Sequence, residues 1–303
     1  MFIVLTVRNL TKTFGNYKAL DQLSFTIQPG SILGLIGQNG AGKTTTFRLI
    51  LDFIQADMGT VLWNGQPIGE ADYDRIGYLP EERGLYPKLT IEEQLLFFAE
   101  LRGKSRKEIA PQIDAWLEKF QVKGKKTDKI QTLSKGNQQK VQLIATLIHQ
   151  PQLVILDEPF SGLDPVNAQL MKDAIIELRK LNACVIFSSH NMDNVEQICD
   201  QLIMLKNGKT VLNGTVQSIR ESFGKTRLYL QGESLDEEQL RLHSGVVALA
   251  RREDQSLVLK LADAEVGKEI FSLVTQNGYL PMFNQQPPTL EEIFKMKAGE
   301  KDE

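Results

Sequence analysis

Short apolar segments alternate with helical patterns from residue 2 to about residue 215. Leu153–Leu156 is one such segment, and residues 185–189 form another. Strands that alternate with helices commonly build a parallel sheet, because parallel neighbours need long crossover connections. We therefore predict an α/β fold with a mixed or largely parallel sheet over this part of the chain.

Residues 82 to about 145 show a different pattern, in which apolar residues recur at helical spacing. Thr90 and Glu93 form a capping-box pattern at the start of one helix, and Ser105 opens a second helix. Pro111 lies inside that second helix, and we expect it to kink the helix or delay its effective start. The pattern predicts an all-helical insertion in the α/β domain.

After Gly224 the pattern restarts in the order β-α-β-β-α-β, which is typical of a ferredoxin-like α+β fold. The predicted strands cover 227–230, 246–250, 257–261 and 279–283, and the predicted helices cover 236–243 and 265–276. We therefore predict a first domain over residues 1–224, a small appended domain over residues 225–295, and a charged tail over residues 296–303.

The composition is that of an ordinary globular protein, with 303 residues, 42% hydrophobic and 24% charged. A net charge of −3 lacks the basic excess of most nucleic-acid binders. The sequence has no stretch of 18 continuous apolar residues, and residues 1–5 are expected to form a first strand rather than a leader. Cys184 and Cys199 are expected to be buried small hydrophobes in a reducing cytosol.

Residues 37–44 fit the phosphate-binding pattern G-x-x-x-x-G-K-[ST], between a predicted strand and a predicted helix. The residues of this segment that we expect to bind nucleotide are Gly37, Gln38, Asn39, Gly40, Ala41, Gly42, Lys43, Thr44 and Thr45. Backbone N–H groups of such a loop converge on phosphates, Lys43 neutralises them, and Thr44 offers its hydroxyl to Mg²⁺. Alone, the loop predicts only a nucleotide phosphate site.

Polar residues follow two further predicted strands. Asp157 ends an apolar run and suits Mg²⁺, and Glu158 then faces the attacking water as general base or water-positioning group. The alternative for this pair is a loop of solvated carboxylates. His190 also follows a strand, at the sheet edge where α/β proteins bind ligands, and its alternative is a purely structural histidine. His149 and His243 lack such a context, so no role is predicted for them.

The chain carries these motifs in an order that resembles the ATP-binding cassette (ABC) ATPases. The motifs are the phosphate loop, Leu-Ser-Lys-Gly-Asn-Gln at 133–138, Asp-Glu at 157–158, Ser-Gly-Leu-Asp at 161–164 and Ser-Ser-His at 188–190. The resemblance extends from residue 4 to about residue 220. It implies the P-loop NTPase fold, with ATP and Mg²⁺ as cofactors.

The resemblance also implies roles for individual residues. Phe14 stands where the family places a ring that stacks on adenine, with Tyr17 as an alternative and a core phenylalanine as the structural interpretation. His190 corresponds to the switch histidine that contacts the γ-phosphate, so the expected catalytic residues are Glu158, His190 and Lys43. Asp164 resembles the aspartate that communicates between two ATP sites.

Two segments depart from the family pattern. In the signature, Ser134 and Gly136 are retained and are expected to bind the γ-phosphate of ATP held by a second subunit. Lys135 replaces a glycine there, and Asn137 replaces a glutamine. A solvated surface lysine is the expected role of Lys135, and the alternative is that it adds positive charge at the subunit junction.

Glu81 stands at the position of the glutamine that senses Mg²⁺ and the permease in this family. Because carboxylate oxygens suit Mg²⁺, we expect Glu81 to face the metal, with a neighbouring cation such as Arg83 offsetting repulsion from phosphate. The alternative is a solvated loop carboxylate.

The resemblance implies an ATP-hydrolysing subunit of an ABC transporter, similar to exporters with a C-terminal accessory domain. It would act as a head-to-tail homodimer or heterodimer, bound to a separate transmembrane permease at the cytoplasmic face of the membrane, without a nucleic-acid partner. The alternatives are a soluble ABC-type ATPase acting on nucleic acid or ribosomes, and an unrelated P-loop kinase or GTPase; the motifs disfavour both. The transported substrate is selected by the permease in this family.

Overall fold

The computed structural model describes residues 4–82, 84–232, 235–277 and 279–299. The chain divides into two compact units after Asn213, one helix earlier than the predicted boundary at residue 224. That helix, Val216–Ser222, packs within the second unit, where the Arg220 side chain donates to the Pro288 carbonyl at 3.0 Å.

The first unit is built from both strands and helices. Its strands are β1 (Leu5–Phe14), β2 (Tyr17–Ile27), β3 (Ile32–Ile36), β4 (Met58–Trp63), β5 (Gln66–Pro67), β6 (Ile76–Leu79), β7 (Leu153–Leu156), β8 (Cys184–Ser189), β9 (Gln201–Lys206) and β10 (Lys209–Gly214). Its helices are α1 (Lys43–Ile50), α2 (Ile91–Glu100), α3 (Arg106–Ile109), α4 (Ile113–Lys119), α5 (Lys135–Leu147), α6 (Pro165–Lys180) and α7 (Met192–Ile198).

The strands form two sheets. One has the order β2-β1-β4-β5 with antiparallel neighbours, and the other has the order β10-β9-β3-β8-β7-β6. From β9 to β6 the neighbours in the second sheet are parallel, which confirms the predicted α/β fold. Asn207 and Gly208 both have positive φ in the tight turn that joins β9 to β10, as such two-residue hairpins require.

The carboxyl ends of three buried parallel strands meet at one edge of this sheet. Ile36 at the end of β3 pairs with Ser189 at the end of β8, and Leu156 at the end of β7 pairs with Phe187. The segments that follow these strands therefore lie side by side. They are the phosphate loop, the pair Asp157 and Glu158, and His190.

The insertion is helical, as predicted. At its first helix the Thr90 hydroxyl accepts from the Glu93 N–H at 3.2 Å, and the Glu93 carboxylate accepts from the Thr90 N–H at 2.8 Å. Ser105 and Glu108 cap α3 in the same way. Pro111 lies in a 3₁₀ segment, Ala110–Gln112, that separates α3 from α4, so the predicted single helix is interrupted at the proline.

The second unit has the predicted β-α-β-β-α-β core. Its elements are α8 (Val216–Ser222), β11 (Arg227–Gln231), α9 (Glu237–Leu242), β12 (Val246–Arg251), β13 (Leu257–Leu261), α10 (Val266–Val274), β14 (Met282–Gln286) and α11 (Leu290–Ala298). The sheet order β12-β13-β11-β14, with antiparallel neighbours, is that of a split βαβ fold. Leu228, Leu259 and Ile270 lie in its core.

Two predictions in this unit were wrong in detail. The last strand begins at Met282 rather than at 279, because Pro281 has no N–H to donate to the strand ladder. Helix α11 was not predicted, although Thr289 and Glu292 form a capping box and Ile293 is buried. The predicted tail therefore begins inside a helix, while residues 300–303 lie outside the described residues.

Neither cysteine forms a disulfide within the described part of the chain, and the Cys184 thiol lies 3.5 Å from the Gln28 carbonyl oxygen. Cys184 is buried, and burial raises its pKa to about 11. Burial also raises the pKa of Cys199. None of the helices in the described part of the chain is long and apolar enough to cross a bilayer.

Candidate nucleotide site

The phosphate loop connects β3 to α1 through backbone conformations that favour glycine. Gly37 has φ 156, and a Cβ atom there would lie 2.5 Å from the Leu205 carbonyl oxygen. Gly42 has φ 109, and its Cβ would lie 2.6 Å from the Ala19 carbonyl oxygen. The loop therefore stays close to the sheet, and the first N–H groups of α1, which lack intrahelical acceptors, point to the loop.

Lys43 is buried at the start of α1. Its Nζ donates to the Gly37 carbonyl at 2.7 Å and lies 3.5 Å from Glu158 Oε1. The ammonium group is thus held inside the phosphate loop, where it can neutralise a bound phosphate.

Asp157 is 2% exposed, and both of its carboxylate oxygens accept hydrogen bonds. The Thr44 hydroxyl donates to Oδ2 at 2.8 Å, and the Ser188 hydroxyl donates to Oδ1 at 2.7 Å. Burial and the Asp157 charge raise the pKa of nearby Tyr78 to about 12. Ser188 was not predicted as a site residue, although a polar residue in a buried apolar strand was a usable signal.

Glu158 adopts a left-handed backbone conformation, with φ 49. Its Oε2 accepts from His190 Nδ1 at 2.8 Å. Its Oε1 is buried, accepts no hydrogen bond from the described residues, and lies 3.5 Å from Lys43 Nζ. The carboxylate therefore lies between a lysine ammonium of the phosphate loop and an exposed histidine.

Phe14 and Tyr17 face each other across the tip of the β1–β2 hairpin. Phe14 is 49% exposed, so it is not a core residue and its ring is accessible for stacking. Tyr17 is also exposed, but its hydroxyl donates to the Gly40 carbonyl at 2.9 Å. The hydrogen bond ties the hairpin tip to the phosphate loop and holds the exposed Tyr17 ring beside that loop.

The signature segment lies at the N-terminus of α5. The Ser134 hydroxyl accepts from the Asn137 backbone N–H at 3.4 Å and from its side-chain amide at 3.2 Å. Lys135 is exposed, as predicted, and a Cβ at Gly136 would lie 3.2 Å from the Asn167 amide. Among the described hydrogen bonds, those of Ser134 remain within α5 and do not involve the phosphate loop.

The loop after β6 carries Glu81. The Leu79 carbonyl accepts from the Asp157 N–H at 2.8 Å, so this loop starts beside the Asp157 backbone. Glu81 itself is exposed, and Arg83 lies outside the described residues. His149 is buried elsewhere, with Nε2 3.1 Å from the Ile76 carbonyl, and burial lowers its pKa to about 4.

The fold and this arrangement of residues define a phosphate-loop ATPase. Residues 20–161 match the family model described as ABC transporter, and residues 214–298 match the model described as ATP-binding protein DrrA1-3-like, C-terminal domain. The chain belongs to the ATP-binding subunits of ABC transporters, which are ATPases coupled to transport.

Relatives match either nearly the whole chain or about three quarters of it. An uncharacterized ABC transporter ATP-binding protein of Bacillus subtilis, YhaQ, is 42% identical over 98% of this chain and 99% of its own length. The lipopolysaccharide export system ATP-binding protein LptB of Haemophilus influenzae is 31% identical over 75% of this chain and 97% of its own length. A solved structure of an ATP-binding subunit of an ABC transporter has a TM-score of 0.68 and 31% identity, covering 73% of this chain and 93% of that chain.

Proposed function

We propose that this subunit hydrolyses Mg²⁺-bound ATP with Glu158 as general base and drives a separate transmembrane permease. The observation that carries the proposal is the position of the Glu158 carboxylate, which accepts from His190 at Oε2 and turns Oε1 toward the phosphate loop. General-base catalysis needs a carboxylate oxygen within hydrogen-bond reach of the attacking water. Lys43 lies 3.5 Å from the same oxygen and belongs to the phosphate loop, which supports a reaction at the phosphate end of ATP.

Thr44 and Asp157 are the oxygen donors that fit Mg²⁺. Their side-chain oxygens are 2.8 Å apart, on the buried side of the phosphate loop. A hydroxyl and a carboxylate are hard oxygen ligands of the kind that Mg²⁺ takes beside nucleotide phosphates. When bound, the ion neutralises charge that develops on the phosphates.

We also propose that Glu81, in the loop after β6, faces the metal. Because that loop starts beside Asp157, a carboxylate on it can face the metal directly or through water. Replacement of Glu81 by glutamine is expected to raise the Mg²⁺ concentration at which the ATPase rate is half-maximal. The measurement is ATPase rate against Mg²⁺ concentration, with Glu82→Gln as the control, since Glu82 is a neighbouring exposed carboxylate. Superimposable curves for Glu81→Gln and wild type would leave Glu81 without a metal role.

We further propose that two subunits pair head to tail, so that Ser134 and Gly136 of one copy contact the ATP in the phosphate loop of the other. The N-terminus of α5 supports this role, because N–H groups and a hydroxyl at a helix N-terminus bind anionic phosphate. Asp164 caps the following α6 by accepting from the Asn167 N–H at 2.9 Å. The Gln139 side chain donates to the Ser161 carbonyl at 2.9 Å, which ties α5 to the segment that carries Asp164.

The helical insertion offers a docking surface for the permease. A cavity of about 560 Å³ is lined by Tyr86, Pro87, Lys88, Leu89, Phe97 and Gln131. The rings of Tyr86 and Phe97 meet edge to face with centroids 5.5 Å apart, and Tyr86 is 51% exposed. An apolar groove rimmed by polar residues suits an amphipathic helical segment of the permease.

The variant Tyr86→Ala is expected to weaken the complex with the permease by about 2 kcal/mol or more, as truncation of a central aromatic anchor does. ATP hydrolysis by the subunit alone should be unchanged, because Tyr86 is not part of the phosphate site. Co-purification of a co-expressed permease with each variant measures the effect. Tyr279→Ala is the control, since Tyr279 is an exposed tyrosine in the second unit. Equal recovery of the permease with both variants would exclude the groove.

The proposed direction of transport is export, with the subunit held at the cytoplasmic face of the membrane by the permease. The name of the LptB relative, a lipopolysaccharide export system ATP-binding protein, supports this direction. The test is to purify the complex with the permease and measure substrate-stimulated ATP hydrolysis, then follow ATP-driven accumulation in inverted vesicles. A complex that moves substrate only in the opposite direction would overturn export while leaving the ATPase assignment intact.

A further inference from the structure

One buried hydroxyl joins the two acidic residues of the site. Ser188 is fully buried near the end of β8, between β3 and β7. Its Oγ donates to Asp157 Oδ1 at 2.7 Å and accepts from the Glu158 backbone N–H at 2.7 Å. Ser188 therefore contacts Asp157 through the side chain and Glu158 through the backbone.

At Asp157 the serine holds one of the two carboxylate oxygens. The other carboxylate oxygen accepts from Thr44, so the two oxygens are held by two different elements, α1 and β8. A carboxylate bonded at both oxygens cannot rotate about its Cβ–Cγ bond without breaking one of these bonds. Without the serine hydroxyl, Oδ1 would lose its described donor at a site that is 2% exposed, and a buried oxygen without a partner is costly.

At Glu158 the serine supports a strained conformation. A residue other than glycine in the left-handed region is disfavoured and persists only when its surroundings hold it. The hydrogen bond from the Glu158 N–H to Ser188 holds the backbone in this conformation, in which Oε2 lies 2.8 Å from His190 Nδ1. The direction of the Glu158 side chain thus depends on an atom of the neighbouring strand.

We propose that Ser188 is a positioning residue for ATP hydrolysis. Its hydroxyl fixes the plane of the Asp157 carboxylate and the left-handed turn at Glu158, and thereby aims both carboxylates at the bound nucleotide. The proposal rests on the proposed function, in which Glu158 is the general base. Ser188 itself touches neither ATP nor water in this role.

The test uses the full-length protein with Ser188→Ala. We expect kcat for ATP to fall by about 10²-fold, because small misplacements of catalytic groups have effects of this size. The Kd for a fluorescent ATP analogue should change little, since no residue of the phosphate loop is altered. Ser188→Thr retains the hydroxyl and should recover much of the lost kcat.

Two controls separate positioning from stability. Ser256→Ala removes another buried serine hydroxyl, which donates to Asp254 at 2.6 Å in the second unit, and it should leave kcat unchanged. If Ser188→Ala does not fold, Ser188→Cys offers a similar volume with a weak donor, and its kcat should lie well below that of Ser188→Thr. Equal kcat in the Thr and Cys variants, or a parallel loss of nucleotide binding and turnover, would overturn the positioning role.

Comparison with Glu158→Gln distinguishes the failure of this inference from the failure of the proposed function. If Glu158→Gln is inactive while Ser188→Ala hydrolyses ATP at the wild-type rate, only the role of Ser188 is wrong. If Glu158→Gln hydrolyses ATP normally, the general-base assignment itself is wrong. Because Ser188 acts partly through Glu158, adding Ser188→Ala to Glu158→Gln should lower residual turnover by less than it lowers wild-type turnover. If Ser188→Ala lowers turnover by the same factor in the wild type and in Glu158→Gln, Ser188 does not act through Glu158.

Discussion

Replacement of Glu158 by glutamine is expected to remove nearly all ATP turnover while ATP binding is retained. The amide keeps the shape of the side chain but cannot take a proton from water, and loss of a general base costs about 10²- to 10⁴-fold in rate. Phosphate release by the full-length protein measures turnover, and titration with a fluorescent ATP analogue measures binding.

Glu177→Gln is the matched control for this variant, because it removes a carboxylate charge from an exposed ion pair with Lys119. It should hydrolyse ATP at the wild-type rate, since exposed pairs contribute little to stability. Near wild-type hydrolysis by Glu158→Gln would remove Glu158 from the mechanism.

Replacement of Lys43 by alanine is expected to eliminate most nucleotide binding. Lys43 is the buried cation of the phosphate loop, and a hydrogen bond to a charged group contributes about 1.5 to 3 kcal/mol, or about 10- to 100-fold in affinity. The variant also leaves Glu158 Oε1 without its neighbouring ammonium, so residual bound ATP should turn over slowly. Equilibrium titration with the ATP analogue gives the affinity.

Lys126→Ala serves as the control for the loss of a lysine charge, because Lys126 forms an ion pair with Asp114 on the helical insertion. Its affinity for nucleotide should equal that of the wild type. Tight ATP binding by Lys43→Ala would show that the phosphates lie elsewhere.

The phosphate loop could be predicted because its constraints are local. One short segment of consecutive residues between a strand and a helix contains Gly37, Gly42 and Lys43. Its conformation depends on residues next to one another in the sequence. Asp157 and His190 could also be placed, since residues after parallel strands share one sheet edge. For these residues the sequence pattern and the structure agree on location.

Other features depend on partners distant in sequence. Ser188 contacts Asp157 from a neighbouring strand, and nothing in the order of residues specifies which hydroxyl of the Ser188–Ser189 pair faces the carboxylate. The Tyr17 contact with Gly40 likewise arises from how a hairpin folds over a loop. Helix α11 lies beyond the six elements of the ferredoxin-like pattern, so its local capping box is its main signal in the sequence.

The central claim, that ATP brings two copies of this subunit together, is tested most directly by the molar mass of Glu158→Gln in solution. This variant should bind ATP without hydrolysing it and so retain the paired state. Light scattering with Mg²⁺ and ATP should give twice the 34.1 kDa chain mass, and ADP should give the mass of one chain. A mass of one chain with ATP demonstrably bound would contradict the account.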